Sequence, residues 1–487
     1  MWYVEIEYPT RTEIYDEAGG EFHGQQVYGR VISISQITRA INKDKSIENS
    51  YAEVIFTNID KYFDNILESE DKYIFGKTLR IYDDDTLIFT GKISEIIKTK
   101  PTQFGIRADF VSYGIDERIN KAITKTEFAN APEDNVGKFA NIIYGVASDE
   151  GSASKGIITA YRVDTGKYLL AWHKIKELIA VYDKDGNDIT ASCTLQNDDT
   201  TGYAFILYDS TDNEMYVNCK GKTDEAGNLI ENPADVLEDL LTNFSDFTIS
   251  GVDEAWMVYE DRGYIATVVI DDDISFRSFF EKFSKSVDNL IFQKADGSLG
   301  LKVLDWGTET PIKSIAKIYI DNSSFENWRD TEELTSKIKR MFWWHFRNKY
   351  YQRLPEDVET VGWVDRIVKA EMQYIKEDEV AKDVASRILF FKQRPVIWYA
   401  FSIPKQIGND IDLGDVIEIE YFTGIYAGRK RYVQVFRKTY TQGSGLIRFE
   451  AMDITGINKG LIKLWDEDDD QVVLLKDESD PECNVLL

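Results

Sequence analysis

The sequence predicts a mainly β fold with an α+β middle: two small β-barrels flank a helix-containing region, and an all-β insertion follows the first barrel. Three observations predict it. Short runs rich in β-branched and aromatic residues fill residues 1–144, 145–228 and 395–460. Segments with helical spacing cluster between 229 and 394. The first and last β regions also resemble each other, which indicates a duplicated unit.

The first predicted barrel occupies residues 1–144. VYGRVISIS, AEVIFTNI and FGIRADF have strand composition, and NIDKYFDNIL is a short amphipathic interruption. TLRIYDDDTLIFTGKI predicts a hairpin whose turn is Asp83, Asp84 and Asp85. Residues 145–228 then form the insertion domain, with strands such as IITAYRV, KYLLAW and EMYVNCKG separated by the turn signals DKDGND and DSTDNE.

Residues 229–330 are predicted to form an α+β middle domain that opens with a helix in NPADVLEDLLTNF. Asn232 can cap this helix, Pro233 suits its first position, and Asp235 places negative charge in the first turn. A second helix in SFRSFFEKFSKSV is capped by Asp273 or Ser275. A hairpin with Asp296-Gly297 at its turn follows. The apolar faces of the two helices are Val236, Leu237, Leu240, Leu241 and Phe244, and Phe276, Phe279, Phe280, Phe283 and Val287.

Residues 331–394 are predicted as a connecting strand, IKRMFWWHFRNKYY, and a third helix, KEDEVAKDVASRILFF. One face of this helix carries Val380, Val384, Ile388 and Phe391. Residues 395–460 form the second predicted barrel. Residues 461–487 are an acidic tail that is solvated or docked on a partner.

Composition excludes several classes of protein. The 487 residues suggest about three domains, and 43% hydrophobic residues can bury large cores. No apolar run reaches membrane-spanning length, and the start has no secretory signal pattern. A formal charge of −28 argues against tight nucleic-acid binding, although an acidic wall would let DNA pass without sticking. Acidity that serves solubility alone is an equal alternative.

The three cysteines, Cys193, Cys219 and Cys483, make no disulfide framework. Cys193 and Cys219 could pair in principle, but buried free thiols are the favoured interpretation. Free thiols fit assembly in a reducing cytosol.

The internal repeat rests on three matches. FGKTLRI at 75–81 matches LGDVIEI at 413–419, Gly91 is aligned with Gly428, and GIRADF at 105–110 parallels LIRFEA at 446–451, which aligns Arg107 with Arg448. Chance similarity between strands is the alternative. If the repeat is real, a homotrimer presents six similar barrels in a pseudo-six-fold ring, which suits an adaptor between a six-fold tube and a three-fold tip.

Four groups of segments follow one another along the chain: ITRAI with AEVIFTNIDKYFDNIL, then NPADVLEDLLTNF, then FFEKFSKSVDNLIFQKADGSLGLKV, and finally VASRILFFKQRPVIWYAFSIPKQ with IDLGDVIEI. In this order they resemble the phage tail baseplate hub or tail-tip family, typified by the T4-type hub and the N-terminal region of siphophage tail-associated proteins. YLLAWHKIKELIAVYDKDGNDIT also resembles the insertion of transfer-agent hubs. The resemblance spans about 30–455, and it implies that the two barrels are hub-type barrels.

The resemblance implies a structural, non-enzymatic hub of a virion tail, assembled in the host cytoplasm. It implies a homotrimer that joins the distal tail or tail tube protein, contacts the tape measure protein and forms the channel for DNA ejection. The chain stops soon after the second barrel, so a separate tip or fibre protein would supply piercing and host attachment. The alternatives are a receptor- or carbohydrate-binding adhesin and, less favoured, a virion-associated glycan hydrolase.

No catalytic, cofactor-binding or metal-ligating residue is predicted. Both GKT triplets, at 76–78 and 221–223, lack the upstream Gly of a phosphate loop. DKDGND at 183–188 fits a β-turn better than a calcium loop. The S-x-x-K match at 152–155 lies in a Gly/Ser loop without its partner motif. The three histidines, His23, His173 and His345, have no zinc spacing, while an accidental or functional carboxylate pair stays open.

The aromatic run from Met341 to Phe346 has two interpretations. It could be a sugar platform, or a strand with one face in a core and the other at a subunit contact, which is favoured. The aromatic residues of the insertion raise the same question, because exposed rings there would fit contact with a host glycan or a neighbouring tail protein.

Overall fold

The computed structural model describes residues 1–42, 46–48, 50–97, 100–109, 117–148, 155–303, 310–331, 334–353, 358–359, 366–393, 395–420, 430–455, 463–465 and 472–474. The predicted fold class is confirmed: the chain is mainly β, and its long helices lie in the middle. The acidic tail falls almost wholly outside the described residues.

The N-terminal region forms a nine-stranded half-barrel sheet of order β3-β4-β2-β1-β8-β9-β10-β7-β5. In β1 and β7 every second side chain is buried, so one face of this sheet packs against the core. The predicted hairpin is confirmed, with Asp83 ending its first strand and Asp84 and Asp85 forming the turn. The elements are β1 (Trp2–Glu7), β2 (Thr12–Asp16), β3 (Gly20–Phe22), β4 (Gln25–Gly29), β5 (Val31–Ile34), β6 (Ile37–Ala40), β7 (Tyr51–Thr57), α1 (Tyr62–Glu68), β8 (Thr78–Asp83), β9 (Thr86–Ile97) and β10 (Gln103–Asp109).

A second, seven-stranded sheet lies within residues 146–220, where the insertion is predicted. Strand β18 is central to it, because β12, β13 and β15 all pair with this strand. β11 instead pairs with β20 of the middle region. The elements are β11 (Ile142–Tyr144), β12 (Val146–Ala147), β13 (Ile158–Asp164), β14 (Lys167–Ala171), β15 (Glu177–Tyr182), β16 (Thr194–Asn197), β17 (Ala204–Leu207) and β18 (Glu214–Lys220).

The middle region contains the two helices that the sequence predicts there. Asn232 Oδ1 accepts the Ala234 N–H at 2.9 Å, and the predicted apolar face is buried except for half-buried Phe244. Ser275, rather than Asp273, caps the second helix by accepting the Ser278 N–H at 3.3 Å. A further helix, α3, was not predicted. The elements are α2 (Pro233–Phe244), β19 (Ile249–Ser250), α3 (Val252–Arg262), β20 (Val268–Ile270), α4 (Phe276–Val287), β21 (Asn289–Gln293) and β22 (Leu299–Val303).

The connecting region corrects one prediction: IKRMFWWHFRNKYY is a hairpin rather than a single strand, because the chain turns at 346–349. The third helix is confirmed, with Val380 and Val384 buried. The elements are β23 (Lys313–Ile315), β24 (Glu326–Asp330), β25 (Lys337–His345), β26 (Tyr350–Arg353), β27 (Val358–Glu359), β28 (Ile367–Met372), α5 (Asp378–Lys392), β29 (Val396–Pro404), α6 (Lys405–Gly408), β30 (Val416–Glu420), β31 (Lys430–Tyr440), β32 (Leu446–Asp453), β33 (Lys463–Trp465) and β34 (Val472–Leu474).

The C-terminal sheet repeats the topology of the N-terminal one. Its order β30-β31-β32-β29-β24 matches β8-β9-β10-β7-β5, and the chain visits the strands in the same sequence. In both sheets a helix lies between the second and third of these strands along the chain: α1 between β7 and β8, and α6 between β29 and β30. Outside these five strands the sheets differ, since β1 pairs antiparallel with β8 whereas β23 pairs parallel with β30. Five shared strands in one order support duplication over chance.

Backbone hydrogen bonds fix the register between the repeats. Gly76 and Gly414 both have a left-handed φ, +75° and +78°. The Gly76 N–H donates to Ile93 O at 2.8 Å, and the Gly414 N–H donates to Val435 O at 2.7 Å. The residue after each glycine accepts the N–H of that same partner at 2.9 Å. The match of 75–81 to 413–419 is therefore confirmed.

Each repeat also has a β-bulge at the same place. The extra residue is Ser94 in β9 and Phe436 in β31, since pairing with the next strand skips one residue there. Counting from the bulges, Arg107 corresponds to Glu450, so the predicted alignment with Arg448 is two residues off. The register likewise gives Val433 as the counterpart of Gly91, while Gly428 lies outside the described residues.

Candidate assembly interface

Strand β6 comes from the N-terminal region but belongs to the C-terminal sheet. It pairs antiparallel with the end of β31, placing Ala40 opposite Arg437 and Ile37 opposite Tyr440. β30 pairs only with the beginning of β31, up to Gln434. β6 therefore extends the C-terminal sheet beyond the bulge and joins the two repeats by main-chain bonds.

A buried cation lies at the centre of this junction. The Arg39 side chain is 2% exposed, its Nη1 lies 2.8 Å from Asp412 Oδ1, and the same nitrogen donates to Gln293 O at 3.2 Å. Asp412 belongs to the turn before β30, and Gln293 ends β21. One guanidinium thus ties the N-terminal repeat to both the C-terminal repeat and the middle region.

A second buried cation, Lys438, lies directly opposite Arg39 in the β31–β6 pairing. Lys438 Nζ donates to Asn409 O at 3.0 Å and to Ile411 O at 2.5 Å. Burial, followed by the nearby positive charge of Arg39, lowers the pKa of Lys438 to about 7 against the opposing pull of Asp412. The Lys438 ammonium group can therefore lose its proton near neutral pH.

We expect Lys438→Met to change the pH dependence of stability. An unfolded lysine has a pKa of about 10.4, so between pH 7 and 10 the unfolded wild-type chain binds a proton that the folded chain lacks. Wild-type stability then gains up to about 1.4 kcal/mol per pH unit from this group, and the variant has no such gain. Unfolding in urea at pH 7, 8 and 9 should show the free energy of unfolding of the wild type rising relative to that of the variant. A pH-independent difference would contradict the assignment.

Polar contacts surround the buried core of the junction. Arg437 makes a two-pronged ion pair with Glu48, at 2.8 Å and 3.3 Å. The Ile34 N–H donates to Gln442 Oε1 at 2.7 Å. Lys405 forms an ion pair with the buried carboxylate of Asp83. The junction thus combines strand pairing, buried charge and a polar rim, as stable interfaces do.

The segments ITRAI and IDLGDVIEI contain Arg39 and Asp412, and Asp83 belongs to a predicted hairpin turn. None of these residues is predicted from the sequence to join the two repeats. QITRAI and VFRKTY each show one or two cations among apolar residues, and such cations normally face water on a half-exposed strand. The only sequence signal is that period-2 alternation puts Arg39 on the same face as Ile37 and Ile41.

The GKT and DKDGND motifs have structural roles. Gly76 forms the left-handed turn before β8, and Lys222 is ion-paired with Asp239 of α2 at 2.7 Å. Asp183 accepts N–H bonds from Asp185 and Asn187, which makes 183–187 a side-chain-stabilised turn. Residues 152–154 of the S-x-x-K match lie outside the described residues.

The aromatic run is largely buried. Phe342 and Phe346 are 2% and 3% exposed, and Trp343 is half-buried. Trp344 is half-buried and lines a cavity of about 300 Å³ with the ion pair Asp271–Lys349. In the insertion, Trp172 and Phe205 are buried as well. Within the described ranges, neither region presents the row of exposed rings that a sugar platform needs.

The histidines and cysteines occupy differing environments. His173 Nε2 accepts the Ile143 N–H at 2.8 Å, and burial lowers the His173 pKa to about 4, so this ring is neutral. His345 is fully buried, whereas His23 is exposed. Burial raises the pKa of both the Cys193 and Cys219 thiols, and both are free. Cys483 lies outside the described residues.

Within the described part of the chain, no helix has the length and apolarity to cross a membrane.

The solved structures to which this chain is similar include several tail proteins. No protein-family model and no curated protein matches the chain. Among solved structures, the chain is similar to the tail protein from Neisseria meningitidis MC58, with a TM-score of 0.42, 9% identity, and coverage of 94% of this chain and 97% of that one. It is similar to the 43 kDa tail protein of prophage MuSo2 from Shewanella oneidensis, with a TM-score of 0.42, 8% identity, and coverage of 94% and 98%. It is also similar to prophage tail protein gp18 from Listeria monocytogenes EGD-e, with a TM-score of 0.40, 10% identity, and coverage of 93% of this chain and 94% of that one.

These names agree with the family that the sequence resembles. At TM-scores below 0.5 and identities below 25%, the likenesses by themselves assign neither a fold family nor a role.

Proposed function

We propose that the chain is a structural hub of a phage tail or a related injection particle. The observation that supports this proposal is the pair of repeats: two sheets of one topology, with the same glycine turn and the same bulge, are joined edge to edge in one chain. A trimer of such chains has six similar sheets, so it can meet a six-fold tube on one side and a three-fold tip on the other.

The chain acts without catalysis in this proposal. It caps or continues the tail tube, contacts the tail tube and tape measure proteins, and leaves the tip or fibre to a separate protein. The insertion at 145–228 forms a sheet of its own. The C-terminal repeat is larger than the predicted barrel 395–460, because it takes in β23 and β24 from the predicted middle domain 229–330 and β6 from the predicted first barrel. With a formal charge of −28, the wall of the channel would repel DNA and so let it move through during ejection.

Solution mass and imaging test the proposal. Light scattering of the purified full chain should give about three times the 56.0 kDa of one chain, and negative-stain images should show rings with a central hole. A stable monomer, or a trimer without a hole, would contradict the hub. Saturable binding of purified host polysaccharide by the full chain would instead favour the adhesin, and release of reducing sugars the hydrolase.

A further inference from the structure

One strand edge that is occupied in the C-terminal repeat is open in the N-terminal repeat. Beyond the bulge at Phe436, β31 pairs with β32 on one side and with β6 on the other. The corresponding stretch of β9, beyond Ser94, is 95–97. β10 pairs with it on one side, but on the other side no strand pairs with it among the residues the structure describes.

The open edge is flanked by exposed apolar side chains. Tyr73 is 67% exposed and Phe75 is 53% exposed, in the turn that leads into β8. Their counterparts in the C-terminal repeat, fixed by the glycine register, are Ile411 and Leu413, and both are fully buried. Both positions hold apolar residues in each repeat, but these residues are buried only in the C-terminal repeat. The exposed Tyr73 and Phe75 therefore have the character of an interface.

The C-terminal repeat carries an exposed apolar surface on the side that corresponds to the donor side of the N-terminal repeat. Its outer strand β24 corresponds to β5, the strand that immediately precedes the donated β6. Exposed apolar residues lie on β24 and just before it: Ile318 is 84% exposed, Tyr319 48% and Trp328 38%. Within the part of the chain that the structure describes, there is therefore one satisfied junction, one open acceptor edge and one open apolar surface on the donor side.

We propose that the acceptor edge, 95–97 with Tyr73 and Phe75, docks the donor side of the C-terminal repeat of a second copy of this chain. The inference rests on the proposed function, because it states how copies meet in the ring. Like the junction within a chain, this contact joins an N-terminal repeat to a C-terminal repeat, but it uses the β24 side rather than a donated strand such as β6. Its two surfaces differ, so the contact is head-to-tail, and in the proposed hub its rotation closes a ring of three copies.

Variants of each surface test this docking in the full chain. Tyr73→Glu/Phe75→Glu disables the acceptor, and Ile318→Glu/Tyr319→Glu disables the donor side; all four side chains are exposed, so the fold should tolerate them. Each variant alone should have the mass of one chain under conditions where the wild type assembles. A mixture of the two should stop at twice that mass, because one intact acceptor meets one intact donor side. Met257→Glu, at a 55% exposed position of α3, is the matched control and should assemble like the wild type.

Amide hydrogen exchange provides an independent readout. The amides of 95–97 that point away from β10 should be protected in the assembled wild type and exchange freely in the acceptor variant, whereas those that point towards β10 should be protected in both. Acceptor variants that still form rings would overturn the docking surface while leaving the hub intact. A wild type that stays at the mass of one chain at every concentration would overturn both.

Discussion

Arg39→Ala is expected to loosen β6 and to destabilise the junction by about 2–3 kcal/mol. Breaking a buried ion pair by removing one partner costs about 3–5 kcal/mol, because the remaining charge is left without compensation. Asp412 keeps 29% of its side-chain exposure, so water compensates part of that cost. Gln293 O also loses a hydrogen-bond donor.

The measurement is amide exchange at 37–40, because local opening of one strand is not reported by a single melting curve of a large chain. Exchange there should accelerate by about 30- to 150-fold, the equivalent of that free energy. Arg118→Ala is the control, since Arg118 and its partner Asp273 are 58% and 49% exposed and 3.4 Å apart; it should change stability by under about 0.5 kcal/mol. Unchanged exchange of β6 in Arg39→Ala would show that strand pairing alone holds the junction.

Phe279→Ala is expected to cost about 3–5 kcal/mol, the usual loss for a buried phenylalanine. Phe279 has no exposed surface, and its ring lies 5.3 Å from that of Phe283 and 5.5 Å from that of Tyr374 between centroids. Tyr374 follows β28 of the connecting region. The substitution therefore opens a cavity between α4 and that region.

Urea unfolding monitored by tryptophan fluorescence should show this loss as an earlier transition. The control is Lys285→Ala on the same helix, where the side chain is exposed and Ala has the higher helix propensity; its effect should stay within about 0.5 kcal/mol. Equal effects of the two substitutions would contradict the view that α4 holds the middle of the chain together through its aromatic face.

The helices show what local sequence can predict. Asn232, Pro233 and the apolar spacing of α2 all favour the same structure, so the prediction was correct. α3 was missed because only Val252, Ala255 and Tyr259 are buried among many charged residues. It begins and ends at left-handed glycines, Gly251 and Gly263, and it packs on α2, which a local pattern does not reveal.

The repeat shows where strand patterns lose information. Side chains alternate with a period of two, so a shift of two residues keeps every side chain on its face. Aligning Arg107 with Arg448 therefore fitted the pattern as well as the true match to Glu450. The register is fixed instead by the backbone hydrogen bonds of Gly76 and Gly414 and by the bulges at Ser94 and Phe436.

The junction was beyond the reach of the sequence for a different reason. ITRA has the composition of an ordinary strand, and its partner lies about 400 residues later in the chain. Whether such a strand pairs with its own sheet or with a distant one depends on which edge is open. That is a property of the assembled fold rather than of the segment.

The central claim is that the two repeats of each chain share one ring with those of two other copies. A cryo-EM map of the assembled full chain tests it most directly. We expect three copies around a central channel, with six sheets alternating between N-terminal and C-terminal repeats and the edge at 95–97 covered by the next copy. A map in which the two kinds of sheet lie in separate layers, or in which that edge faces solvent, would contradict it.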